Sequence, residues 1–125
     1  MRKLCLLLTA WCGLTTGAAA ATPGQPPVVL RCGWFENPTP GNAWLTDRDG
    51  QWLIGLQGGH QAEGDWPRFT PARWVRTNGH YGHGCACLRV VADEASYEVQ
   101  RIVSAASRPL RVCRRDKALT EPRVD

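Results

Sequence analysis

Asn78 to Val90 reads NGHYGHGCACLRV. An Asn-Gly pair, which hairpin turns favour, precedes His80 and His83 and then Cys85 and Cys87, separated by one alanine. Strand alternation from Cys85 onward puts Ala86, Leu88 and Val90 on one face and Cys85, Cys87, Arg89 and Val91 on the other. Both sulfurs therefore share a face. On a strand, Cα atoms at i and i+2 are roughly 6.5 Å apart, near the upper limit for a bridge, so Cys85 and Cys87 are expected to bond to different partners.

The chain has six cysteines. Cys5 and Cys12 lie in MRKLCLLLTAWCGLTTGAAAA, where Arg2 and Lys3 precede an apolar run and then small residues. That order is the pattern of a secretory signal peptide, cut after about Ala20 or Ala21, and residues 1–20 are read as removed. Trp11 before Cys12 argues against lipoprotein processing, which wants a small residue there. Four cysteines remain: Cys32, Cys85, Cys87 and Cys113. An even number, an oxidising compartment and a domain of about 105 residues together predict two disulfides. Which of Cys32 and Cys113 meets Cys85 stays open. In either case both ends of the domain are pinned to one strand, and a bridge from Cys32 closes a loop worth about 4 kcal/mol in the chain-entropy model.

Other chemistries fit the stretch less well. Structural zinc sites use C-x₂₋₄-C knuckles, not C-x-C, which weighs against a four-sulfur site or one built from His80, His83 and the cysteine pair. A redox-active dithiol wants C-x-x-C before a helix. No metal or cofactor is expected.

Around this stretch the chain divides into a proline-rich lead at 21–27, one domain at 28–119 and a C-terminal tail at 120–125. Asp49-Gly50 in AWLTDRDGQWLIGLQ marks a hairpin, with Asp47 opposite Trp52 and Leu45 opposite Ile54, and with Leu45, Trp52, Ile54 and Leu56 as a core stripe. Asn78-Gly79 marks a second hairpin. The segment SYEVQRIVSA fits strand or helix; its β-branched and aromatic residues favour strand, followed by a short helical turn from Pro109. GGHQAEGDWPRFTPA reads as loop. The expected fold is mainly β: a small disulfide-stapled barrel-like or sandwich domain with a short C-terminal helical turn.

Without Arg2 and Lys3 the net charge falls from +4 to about +2, too even for a nucleic-acid footprint. The basic run from Arg108 to Lys117 reads as a solvated face. Beyond the leader, no apolar run approaches the roughly 20 residues that span a bilayer, so the expected location is periplasmic or secreted.

Four stretches carry a resemblance: RCGWFENPTPGNAWLTDRDGQWLI, QGGHQAEGDWPRF, WVRTNGHYGHGCACLRV and RPLRVCRRDKAL. From Arg31 to Leu119 the chain resembles the bacterial DUF4087 family, a domain of unknown function. The resemblance implies a small exported protein. It brings no activity and no catalytic residues.

Five tryptophans follow the leader: Trp34, Trp44, Trp52, Trp66 and Trp74. Trp52 and Trp74 read as core and Trp44 as the outer face of the first hairpin. Trp34 and Trp66 fall in Gly/Pro-rich stretches, where they either cap a small barrel or, as exposed indoles, take part in recognition. The candidate ligand-binding set is Trp34, His60, Asp65, Trp66 and Tyr81, for an envelope protein or a glycan, without catalysis. The alternative is a cell-wall hydrolase using Glu63 and Asp65 as acid and base with His60 nearby. No motif fixes that geometry, and G-x-S-x-G is absent.

Overall fold

The computed structural model describes residues 13–14, 17, 24 and 26–124. The expected signal peptide and most of the proline-rich lead lie outside the described residues. The elements are β1 Val29–Thr39, β2 Asn42–Asp47, β3 Gly50–Gly55, a 3-10 turn at Pro71–Arg73, β4 Val75–Asn78, β5 Tyr81–Asp93, β6 Glu98–Arg108 and α1 Leu110–Arg115. No helix among the described residues is long and apolar enough to cross a membrane.

β5 organises the sheet because its two edges are both used. One edge pairs with β1, from Val29 opposite Val90 to Asn37 opposite Gly82. The other pairs with β6 and, nearer its start, with β4. Strand order β1-β2-β3-β6-β5 then returns to β1, which closes a ring with β4 as an appendage. All pairings are antiparallel except β3 with β6, which meet in parallel only at Leu53 and Glu98. The following loop reinforces that seam, through bridges Gly55–Gln61 and Glu63–Arg101. The result is a closed, barrel-like sheet.

The alternation at Cys85–Val91 operates as the sequence predicts. Ala86, Leu88 and Val90 are fully buried inside the barrel with Leu45, Ile54 and Val99; each large aliphatic side chain so buried contributes about 1.5–3 kcal/mol. On the outer face, Cys32 sits directly opposite Cys87 in register and bonds to it, while Cys85 bonds to Cys113 in α1. Both ends of the domain are thus tied to β5, and the pairing left open by the sequence is resolved. From Glu98 the segment is a strand, β6, while Tyr97, counted with it in the sequence, lies in the preceding turn at φ 55°; Pro109 caps the short helix α1.

Three expectations need correction. The first hairpin turns at Arg48–Asp49, with Asp47 opposite Gly50 and Leu45 opposite Trp52. Asp47 sets this turn: its Oδ1 accepts from the N–H groups of Asp49 and Gly50 at 2.9 and 3.1 Å and from the Trp52 indole at 2.9 Å. Its other oxygen accepts from Arg31 at 2.9 Å, and the Arg31 guanidinium lies 3.6 Å over the Trp52 ring, plugging that end of the barrel. Leu56, expected in the core, lies just past β3 and is exposed.

The third correction is Trp34. It belongs to β1, not a loop, and is 0% exposed. It points outward from the barrel but is covered by the C-terminal segment, against Cys85, Cys113, Leu110 and Leu119. Gly33 is what makes the strand fit: a Cβ there would collide with the Thr46 backbone on β2.

Candidate functional site

The loop from Leu56 to Trp74 covers the barrel end opposite the Arg31 plug. Proline punctuates it at Pro67 and Pro71, which favours extended and turn backbone over helix, and its aromatic residues fold back on the barrel. Trp66 and Phe69 pack on Phe35 of β1, with ring centroids 5.7 and 5.8 Å away, and Trp74 stacks on Phe69 at 4.7 Å. Gly84 on β5 permits this approach. A Cβ at that position would lie 2.5 Å from Phe69 and 2.7 Å from the Arg73 carbonyl.

The aromatics are not completely covered. Trp66, Phe69 and Trp74 are each half-buried and wall a groove of about 490 Å³, floored by Phe35 and edged by Asn37, Arg76 and His80. The Trp74 indole N–H donates to the His80 carbonyl at 2.9 Å, so Trp74 offers a ligand its face and not its donor. Asn37 donates both amide hydrogens to the carbonyls of Thr39 and Asn42, at 2.8 and 2.7 Å, and keeps its Oδ1 as an acceptor. Arg76 and the His80 ring supply donors at the rim. Among the described residues no carboxylate lines the groove.

Residues 27–120 match the family described as protein of unknown function (DUF4087). The chain belongs to the DUF4087 family. No curated protein and no solved structure matches it. The DUF4087 match takes in the whole barrel, the aromatic loop and the C-terminal clasp.

Within this DUF4087 domain the predicted site residues do not form one cluster. Trp66 lines the groove. Tyr81 stands behind it, stacked on His80 at 4.2 Å. Asp65 is exposed and faces a second hollow, beside Trp66, Arg68 and β6. His60 is occupied elsewhere: its Nε2 donates to the Val99 carbonyl at 2.7 Å and its Nδ1 lies 3.4 Å from Glu98, so it fastens the β3–β6 seam. Trp34 is withdrawn beneath the clasp, and its indole N–H has no partner.

Phe69, Asn37 and Arg76 were not singled out by the sequence, and Trp74, read there as core, is instead a half-buried wall of the groove. The signal available for two of them is the spacing of aromatics in DWPRFTPARW, where prolines prevent a helix and leave the rings on an irregular loop.

Glu36 and His83 are among the ionisable groups outside the barrel that are displaced from their ordinary behaviour. Burial pushes the Glu36 carboxyl up, partly offset by a hydrogen bond from Gln51. Burial holds His83 below its usual range, against the opposing pull of Glu121. Neither lines the groove. Among the described residues no group of three His, Cys, Asp or Glu side chains is placed to hold a metal ion, and the four cysteines of a proposed sulfur site are committed to disulfides.

Proposed function

We propose that this protein is an exported, non-enzymatic binding module whose groove between Trp66, Phe69 and Trp74 receives a glycan chain. The carrying observation is three half-buried aromatic rings presented together on a disulfide-stapled barrel, with polar groups at the edge only. Flat rings stack on the apolar faces of sugars, and a few convergent polar groups then fix orientation. Asn37 Oδ1, Arg76 and His80 stand where such contacts are needed. Because the Trp74 and Asn37 donors are already satisfied internally, the walls are held in place before a ligand arrives, which lowers the ordering cost of binding. Export rests on the basic-apolar-small order of residues 1–20 and on two disulfides, which persist in oxidising compartments.

Binding is favoured over hydrolysis because neither Glu63 nor Asp65 lines this groove. A glycosidase needs two carboxylates flanking the bond it cleaves. The barrel itself implies no ligand, since function resides in the site and not in the fold.

The test is calorimetric titration of the mature protein with soluble cell-wall glycan fragments. Binding is expected in the wild type and is weakened about 30-fold in Trp66→Ala, the loss of roughly 2 kcal/mol typical of a central aromatic contact. Asp65→Asn is expected to bind like the wild type. Absence of heat with every fragment, or equal binding by Trp66→Ala, contradicts the proposal.

A further inference from the structure

The outer edge of β6 is incompletely paired. Near its start the edge is occupied: Leu53 donates to the Tyr97 carbonyl at 2.8 Å, Glu63 donates to the Gln100 carbonyl at 3.0 Å, and Ile102 donates to the Glu63 carbonyl at 2.7 Å. The pairing begun by Glu63 then stops. Gly64, at φ +96°, turns the chain away while lying so close to Ile102 that a Cβ would meet its carbonyl oxygen. Beyond it a hollow of about 730 Å³ opens, floored by Ile102 to Ser107 and walled by Gly64, Asp65, Trp66 and Arg68.

No strand among the described residues pairs with β6 along that hollow. At its far end the Arg73 guanidinium donates to the Ser107 carbonyl at 3.0 Å. The Ser107 carbonyl therefore faces this side, and strand alternation aims the N–H and C=O of Ala105 into the hollow as well. Edge strands usually carry charges, bulges or prolines that block pairing. β6 has a bulge at Val103, where Ile102 and Ser104 face successive residues of β5, and beyond that bulge Ser104, Ala105, Ala106 and Ser107 are small and uncharged.

We propose that this edge takes up an extended acidic peptide from a partner protein as an added strand, continuing the line that Gly64 breaks. Main-chain hydrogen bonds provide affinity in such additions, and flanking side chains provide selectivity. The surroundings are basic on balance: Arg101 and Arg108 are exposed at the two ends of the edge and Arg68 lies across the hollow, against Asp65 in its lining and Glu63 beside Arg101. The same charges disfavour a second copy as the occupant. Edge-to-edge pairing of two β6 strands would bring arginines of both copies together, and like charges across strands destabilise.

The experiment selects binders to the intact mature protein from a displayed random nonapeptide library and measures synthetic versions by fluorescence anisotropy. The selected peptides are expected to be acidic and free of proline at alternate positions, to slow amide exchange at Ala105, and to bind at least tenfold more weakly to the surface variant R101E/R108E. Trp74→Ala is expected to leave their affinity unchanged, which separates this site from the aromatic groove. A library that yields no binder, peptides without acidic bias, binders indifferent to R101E/R108E, or a dimer in solution through β6 each overturn the proposal.

Discussion

His83 shows how much the C-terminal segment does at the scale of a single side chain. Its imidazole is buried edge-on to Trp34, at 5.3 Å and 86°, and reaches Glu121 at 3.4 Å. Glu121 in turn accepts from the Arg114 guanidinium at 2.8 Å, and that bond holds its carboxyl below the ordinary range, with His83 adding to the effect. Glu36, the β1 residue opposite His83 in register, is also desolvated. The folded pKa of His83 lies below 6.5 because burial disfavours the cation. As pH falls, the unfolded chain takes up this proton first. The stability associated with neutral His83 is therefore complete above pH 6.5 and is lost as pH falls through the folded value. Glu121 acts in the same direction at lower pH; Glu36, with a raised pKa, acts in the opposite one. Thermal unfolding followed from pH 7 to pH 5 should show a smaller fall in Tm for His83→Asn than for the wild type. An equal fall in both proteins would mean that His83 is not the group responsible.

At the scale of elements, α1 is a helix only because of what it is attached to. Six residues are far fewer than an isolated helix needs for stability in water. It is held by Leu110 and Leu119 on Trp34 and by the Cys85–Cys113 bond, which closes a loop of 28 residues and contributes about 3.5 kcal/mol in the chain-entropy model. Replacing both cysteines (Cys85→Ala with Cys113→Ala) should release the clasp while the barrel, still closed by Cys32–Cys87, keeps its far-ultraviolet signature. The expected readout is a lower Tm and a red shift of tryptophan emission as Trp34 meets water. Unchanged emission would show that the clasp holds without its sulfur bond. The two hairpins illustrate what periodicity can and cannot specify. Placing the first turn at Asp49-Gly50 moves the register by two residues, which leaves Leu45, Trp52 and Ile54 on the inner face because strand period is also two. The turn itself was set by Asp47, whose side-chain bonds are invisible to a pattern of apolar residues. The second turn falls at Gly79–His80, one residue beyond the Asn-Gly pair.

Across the whole molecule, what was legible in the sequence is what depends on local order: the alternation at Cys85–Val91, the strand character of Glu98–Ala105 and the separate bonding of Cys85 and Cys87. Ring closure was legible only as the bridge expected from Cys32 to the Cys85–Cys87 strand; the full β1–β5 pairing and its register were not, because they join segments some fifty residues apart. Trp34 was misplaced for a related reason. Its neighbour Gly33 reads as a loop residue, yet the glycine is required by the backbone of Thr46 on a different strand. The groove is likewise non-local, since Phe35 and Asn37 come from β1 and the other walls from the loop and second hairpin. The seam contact of His60 was not legible because its bonding partner, the Val99 carbonyl, lies on a strand whose position follows only from the closed ring. The central claim is that this end of the barrel, and not the other tryptophans, is where the protein binds. The most direct test is to follow the five indole N–H resonances of the protein prepared without residues 1–20 by nitrogen-edited NMR during titration with cell-wall glycan fragments. Shifts at Trp66 and Trp74, with Trp34 and Trp52 unmoved, are the predicted result; shifts confined to Trp44, or movement at Trp34 with none at Trp66, would contradict it.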